Sequence, residues 1–321
     1  MRGRFRFLLV FVFLGCTPPP ARPEPLPSPG SSAPIAQTTP TTRAAPAGSP
    51  ASSVSSLPTA PNRATPAPRP LSAEEKELFE AAEHGDLPTL RALLAKKVDL
   101  EVLDSYGKTP LERALDRDEP EAAIVLLDGG ARPPENALHY GARGGHVGLI
   151  ERLLAGGSKP NERDSQGHTP LHRAAEQGHP AAIARLVKAG ADPNVAGDDL
   201  FTPLHSACAS DKLGAAQALL DAGAKLDART RGGETPLHWA IFANRPTEVH
   251  IYTKLNEPHG TRHIPKTEAR LVELLLARGA KIDAVDASGN TPLHQAAAMG
   301  AEPSARLLLA RGASKTARNK E

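Results

Sequence analysis

The chain has 321 residues, enough for two ordinary domains, yet only 3% are aromatic while 32 are proline, a poor composition for a compact core built on large side chains. Its formal net charge is +2, and losing Arg2, Arg4 and Arg6 with an N-terminal leader takes that to −1, so no overall field draws in nucleic acid or anionic lipid. The composition excludes a general DNA-binding role and leaves the shortage of aromatics to be explained.

The opening residues, MRGRFRFLLVFVFLGC, place a basic run before an apolar segment from Phe7 to Leu14. That segment is far short of a membrane span and reads as a cleaved export signal. Phe13-Leu14-Gly15-Cys16 resembles the lipobox of bacterial lipoproteins, which implies cleavage before Cys16 and lipidation of its thiol. Phe13 departs from that pattern, where an aliphatic residue is usual, and an ordinary secretory leader or a short buried anchor is the alternative. Thr17 after the cysteine implies, by the same resemblance, sorting to an outer membrane, so the expected location is the cell envelope facing the periplasm, or secretion if the leader is an ordinary one. Acyl chains hold a protein at a bilayer at about 0.8 kcal/mol per buried CH₂, without a transmembrane helix.

Residues 17–70 hold half of the chain's 32 prolines, mixed with Ser, Ala and Thr. Such a composition cannot bury enough apolar surface to fold alone. Polyproline II at about 3.1 Å per residue gives this tether a reach of at most roughly 170 Å. Proline-rich ligand motifs for a partner domain are a second reading of the same stretch.

From Leu71 onward the chain is periodic. The tetrad TPLH recurs at Thr169, Thr202, Thr235 and Thr291, and related starts give a leucine series Leu78, Leu111, Leu138, Leu171, Leu204, Leu237 and Leu293 with spacings of 33, 27, 33, 33, 33 and 56. Within one unit Thr169 is placed to cap a helix and Pro170 fits its opening turn. Leu171, Ala174 and Ala175 make a narrow apolar stripe, Gly178-His179 breaks it, and a second helix through Ile183, Leu186 and Val187 ends at Gly190, which permits a left-handed exit. Seven units of this form, from 71 to 321, closely resemble ankyrin repeats. The resemblance implies an all-α solenoid of about seven helix-turn-helix repeats with short β-turn fingers. Alanine and leucine then fill a thin, repetitive core, which accounts for the missing aromatics. His139, His172, His205, His238 and His294 recur once per unit, and the resemblance implies that each bonds backbone groups of the adjoining turn rather than a metal. Cys208 takes an alanine-like slot, and no disulfide to Cys16 is expected.

Departures from the repeat carry most of the information. The 27-residue spacing runs Gly130-Ala131 through Arg132, Pro133 and Pro134 into Ala137, so one finger is truncated and a notch is expected there. Leu200 stands where repeat four has Gly167, and Phe201 beside it is expected to project from the finger tip. With Trp239 and Phe242 it forms either a concave aromatic contact surface or, for Trp239, packing between repeats. The 56-residue spacing carries 23 extra residues, about Asn244 to Lys266 in repeat six. Within it VHIYTKL alternates as a short strand does and NEPHGTRHIPK returns as loop. His250, His259 and His263 suggest zinc, but their spacing is not diagnostic and Pro258 and Gly260 oppose a helix that would align them, so a solvated loop is the preferred reading. Ser72, Glu74, Glu75 and Glu77 suit a helix start. Lys97 replaces the exit glycine at about 1 kcal/mol if left-handed. Ser304 and Ala305, small where inner repeats are larger, suit a terminal unit.

Together these features describe an adaptor: Cys16 as lipid anchor, a flexible arm, and a monomeric platform that binds an unidentified protein and needs no cofactor, metal or nucleic acid. No catalytic constellation stands clear of the repeats, so an enzyme is not expected. By the resemblance, contact positions flank the finger glycine and follow each Ala pair: Ser105, Tyr106, Lys108, Asp116, Arg117, Ser165, Gln166, His168, Glu176, Gln177, Phe201, Glu234, Phe242, Asn290 and Met299. A structural spacer, or a metal-binding or catalytic site within 244–266, is the alternative.

Overall fold

The repeated tetrads begin helices. A computed structural model describes residues 70–252, 258–264 and 268–320, with backbone alone for the strands of the insertion. The leader, Cys16 and the proline-rich segment through residue 69 lie outside the described residues, as do 253–257, 265–267 and 321. The helices form seven pairs: α1 (Ala73–His84) with α2 (Leu87–Ala95), α3 (Pro110–Asp116) with α4 (Pro120–Asp128), α5 (Ala137–Gly144) with α6 (Val147–Ala155), and α7 (Pro170–Gln177) with α8 (Pro180–Lys188). Then follow α9 (Pro203–Ala209) with α10 (Leu213–Asp221), α11 (Pro236–Ala243) with α12 (Arg270–Ala277), and α13 (Pro292–Ala298) with α14 (Glu302–Ala310).

In α7, α9, α11 and α13 the threonine of the tetrad is the extended N-cap and the proline opens the first turn, where its missing N–H leaves no intrahelical bond unmade. The spine leucines from Leu78 to Leu237 are buried, Leu293 is half-buried, and a single apolar cluster runs from Leu78 to Ala313. Each pair cannot cover its own stripe, so neighbours share one. The small residues matter for distance: a Cβ added at Gly141 would stand 3.3 Å from the Ile150 side chain. Ser72 closes a capping box with Glu75, whose carboxylate accepts the Ser72 N–H at 2.8 Å, as the polar start of repeat one predicts.

The repeats are all helical, and the strands among the described residues belong to the insertion between α11 and α12. There β1 (Thr247–Tyr252) pairs antiparallel with β2 (Pro258–Ile264). The strand expected within VHIYTKL exists, but NEPHGTRHIPK does not return as loop: its residues 258–264 fold back as the second strand. Alternation read along one segment gives no signal for a partner strand that carries Pro and Gly. The neck is closed by Asn244, whose buried side-chain amide donates to the Glu268 carbonyl at 2.7 Å and accepts from the Ser304 hydroxyl at 2.7 Å. Ser304 is therefore not a cap adjustment for an uncovered terminal unit. It is 0% exposed, and its small polar side chain is what Asn244 requires.

Second helices leave through a left-handed residue, glycine at 130, 157, 190, 223, 279 and 312 with φ between 87° and 97°. Lys97 holds that position in the first repeat with φ 58°, a conformation that is costly for a residue with a Cβ. Lys97→Gly is expected to stabilise the array by on the order of 1 kcal/mol, read as a raised urea midpoint at unchanged m-value; a lowered midpoint would contradict the assignment of strain.

Candidate functional site

The fingers are closed by one recurring backbone bond: Asp104 N to Lys108 O (3.0 Å), Asp164 to His168 (2.9 Å), Gly197 to Phe201 (2.7 Å), Thr230 to Glu234 (3.0 Å) and Asp286 to Asn290 (3.0 Å). Between α4 and α5 this bond is replaced by Ala137 N to Pro134 O at 2.9 Å, so the finger is truncated as the short spacing predicts. From repeat four onward neighbouring fingers are also joined, Asp198 N to Gln166 O, Arg231 N to Asp199 O, Ala287 N to Gly232 O and Lys320 N to Ser288 O. No such bond reaches the Asp104 finger among the described residues. It stands apart from the ladder, and Tyr106 at its tip is 77% exposed.

The recurring histidines tie helix to finger. His172 Nδ1 accepts the Thr169 N–H at 3.0 Å and its Nε2–H donates to Phe201 O at 3.1 Å. His205 makes the same pair of bonds to Thr202 and Glu234, and His238 to Thr235 and Asn290. His139 reaches His168 O at 3.0 Å, while its Nδ1 has no partner because Asn136, not threonine, precedes α5. His294 bonds Thr291 N. Burial pushes the imidazoles of His139 and His238 down, and takes His172 and His205 to about 4. They are neutral structural groups, as the repeat resemblance implies. Cys208 is free and fully buried, which pushes its thiol up.

The first-helix residues two and five places after each spine leucine line the face beside the fingers. In repeats two and four this face is ionic. Asp104 Oδ1 accepts Tyr106 N (2.8 Å) and Lys108 N (3.0 Å), and Oδ2 accepts Arg113 Nε (2.5 Å); Asp164, Gln166, His168 and Arg173 repeat the arrangement. Burial alone would raise the Asp104 and Asp164 carboxyls, but these donors outweigh it and hold them below the usual range. Lys108 pairs with Asp116, which also accepts from Tyr140 Oη at 3.0 Å, and Arg117 pairs with Glu83. Arg173 bridges to Glu176 at 3.3 Å.

In repeats five and six the aspartate and arginine positions hold Gly197 with Ser206 and Thr230 with Trp239, and the face becomes aromatic. Phe201 meets Trp239 edge-on at 4.7 Å, Trp239 meets Phe242 at 5.4 Å, and the Arg245 guanidinium lies 3.8 Å over the Phe242 ring. Trp239 packs against the core, as one of the two readings has it, and lies between the Phe201 and Phe242 rings. Its Nε1 has no hydrogen-bond partner. Phe201, expected at the tip, is turned inward and half-buried against His205 (5.4 Å). The tip is Leu200, 46% exposed with φ 64°, where the other fingers carry glycine.

Of the positions named from the sequence, Ser105, Tyr106, Arg117, Ser165, Gln166 and Gln177 are exposed, while Lys108, Asp116, His168, Glu176, Phe201, Glu234, Phe242, Asn290 and Met299 are half-buried. Asp116 pairs with Lys108, and Glu176 and Gln166 both bond Arg173. Sequence reasoning passed over Arg113, Tyr140, Arg143, Arg173, Arg245 and Asn244. Counting two and five residues from each spine leucine finds the first four; nothing in the pattern marks Asn244. Among residues whose side chains are described, no His, Cys, Asp or Glu group is arranged to hold a metal ion, and no helix is long and apolar enough to cross a membrane.

Two family models described as ankyrin repeats match 130–197 with 264–319, and 78–127 with 204–250, together more than half of the chain. The chain is 34% identical to Inversin of Gallus gallus over 107 residues, covering 31% of this chain and 10% of that protein. It is 36% identical over 101 residues to the ankyrin repeat domain-containing protein SAT10 of Stachybotrys chartarum, covering 30% and 5%, and 31% identical over 102 residues to the human ankyrin repeat and SOCS box protein 3, covering 28% and 19%. The chain thus spans less than a fifth of each of these relatives.

Because the folded imidazoles of His172 and His205 lie near 4 and unfolded histidine near 6.5, the unfolded chain binds more protons between those values. Stability is therefore full above about pH 6.5, falls as pH drops toward 4, and loses no more from these groups below that. Denaturant unfolding at pH 4.5 is expected to show a loss of about 2 kcal/mol for each of these two histidines relative to pH 7; a flat profile would contradict the cap assignment.

Proposed function

The chain belongs to the ankyrin-repeat family, and from that premise we propose that it is an adaptor that binds a partner protein on the finger tips and the face beside them, held to an envelope membrane through Cys16. The observation that carries the partner-binding reading is Leu200. A branched apolar side chain in a left-handed backbone costs roughly 1 to 3 kcal/mol, and its exposure in water adds to that. Glycine serves at this position in the other four fingers. Leu200 directly precedes Phe201, whose ring meets Trp239 and through it Phe242, and aromatic side chains are among the types that anchor partners most strongly. A tip that is both strained and apolar beside an aromatic strip fits a surface kept for a partner better than a spacer. Ankyrin folds serve many unrelated partners, so the fold does not choose among them.

The anchor rests on the sequence of residues 7–16. A lipid at Cys16 and a proline-rich arm would confine the platform near one bilayer, raising its effective concentration toward neighbours and making even a weak interface useful. The outer membrane, with the platform in the periplasm, is the location that Thr17 favours.

Partner capture from envelope fractions separates adaptor from spacer. Leu200→Gly is expected to raise the unfolding midpoint while weakening capture at least tenfold, and Phe201→Ser with Tyr106→Ser to weaken it further; unchanged capture across these variants would leave the spacer reading. Mass spectrometry of the mature protein is expected to find an acylated Cys16 at its N-terminus, and an unmodified N-terminus elsewhere would remove the anchor.

A further inference from the structure

The ladder of fingers has a direction, and the truncated finger interrupts it at one place. In each joined pair the residue after the finger-closing position donates its N–H to the carbonyl two residues past that position in the finger before: Asp198 to Gln166 (3.4 Å), Arg231 to Asp199 (3.3 Å), Ala287 to Gly232 (2.9 Å) and Lys320 to Ser288 (3.0 Å). The same count assigns the outgoing carbonyl of the Asp104 finger to Tyr106 and the incoming N–H of the Asp164 finger to Ser165. Among the described residues neither group is bonded, because the finger between them is cut short. A third group is left with them. In repeats four to seven Nδ1 of the recurring histidine accepts the N–H of the threonine that ends its own finger. His139, 6% exposed, follows no such threonine, and its Nδ1 has no partner.

We propose that the notch between the Asp104 and Asp164 fingers takes a β-hairpin tip of a partner protein, seated as a full finger would be. The backbone of that tip donates to the Tyr106 carbonyl along one edge and accepts from the Ser165 N–H along the other. This is strand addition, in which main-chain bonds supply the affinity. A hairpin tip fits because a finger is itself two strands about 4.8 Å apart, whereas a helix spends its backbone groups on its own ladder. Polarity excludes a two-fold pair of this chain. Such a pair brings the same edge of both copies together, and here that sets one Tyr106 carbonyl against the other. The notch names the kind of partner for the adaptor reading and rests on that reading, but it uses other fingers than the one that carries Leu200.

The test uses the full chain and, as probe, a labelled cyclic peptide of the chain's own Asp164 finger, Asn161 to Thr169, with binding followed by fluorescence anisotropy. One peptide is expected to bind per chain. Amide hydrogen exchange at Ser165 in the wild-type chain needs no variant and is expected to slow when the peptide is added. Ser165→Pro removes the donor at a turn position where proline is favoured, and is expected to weaken binding at least tenfold. Ser105→Pro makes the matching change on the edge of the Asp104 finger that faces away from the notch, and is expected to leave binding unchanged. Leu200→Gly is also expected to leave peptide binding unchanged while it weakens partner capture, so the notch and the adaptor reading can fail separately. No binding, unslowed exchange at Ser165, equal binding by the Ser165→Pro chain, or pairing of two chains that Ser165→Pro abolishes would each overturn the proposal.

Discussion

The bond from a first-helix histidine to the carbonyl of the next finger is the constraint on which the array depends. Leucine and alanine stripes are non-directional and would tolerate sliding. A neutral imidazole that accepts from the threonine N–H of its own repeat and donates to a carbonyl of the following one permits a single register. The spacing shows it: the acceptor lies 29 residues beyond His139, His172 and His205, and 52 beyond His238. The difference is the 23 residues of the insertion, so the stack closes over the inserted hairpin without losing the link. Burial keeps these rings uncharged, and the same burial makes acid their weakness.

The joint between repeats two and three lacks this device. Glu112 stands at the histidine position, its carboxylate accepting the Thr109 N–H at 2.7 Å, and the finger that a histidine would reach is missing. The two repeats are joined instead by polar bonds: Tyr140 to Asp116, Arg152 to Asp128 and to the Leu127 carbonyl, and Arg132 N to Glu101. Exposed charge pairs contribute little each, so this joint, like the one between repeats one and two where Phe79 stands at the histidine position, relies mainly on the shared apolar stripe. At this joint the truncated finger and the missing histidine occur together, and the notch lies where both are absent.

The repeat architecture was legible because a sequence with a fixed period states its own register. Helix starts at Thr169, Thr202, Thr235 and Thr291, the left-handed exits, the truncated finger and the presence of an insertion between α11 and α12 all follow from that period. Side-chain partners were legible only where the repeat resemblance supplies them, as for the histidines. Phe201 was misplaced because Leu200 beside it occupies the glycine position: a one-residue offset decides which side chain faces out and which turns to Trp239. Ser304 was misread because small size suits both an uncovered cap and a buried polar contact. Its partner Asn244 is 60 residues away in sequence, and no local pattern marks such a pair. The second strand was missed because its pairing is non-local and Pro258 and Gly260 mask it.

The Asn244 contact has a further consequence for the insertion. A buried amide with an unmet oxygen or N–H costs about 1 to 3 kcal/mol, so the Ser304 hydroxyl and the Glu268 carbonyl are needed together. Asn244 closes the segment at its two ends, where α11 stops and α12 is about to begin, and Ser304 fastens that closure to α14 of the last repeat. The hairpin therefore springs from a neck whose position is fixed by repeats six and seven at once. An insertion held only by its chain ends would add loop entropy to the array. One tied through a buried polar triad to the neighbouring repeat is instead part of how the terminal repeat is held, and the small residue at 304 is the sequence trace of that arrangement.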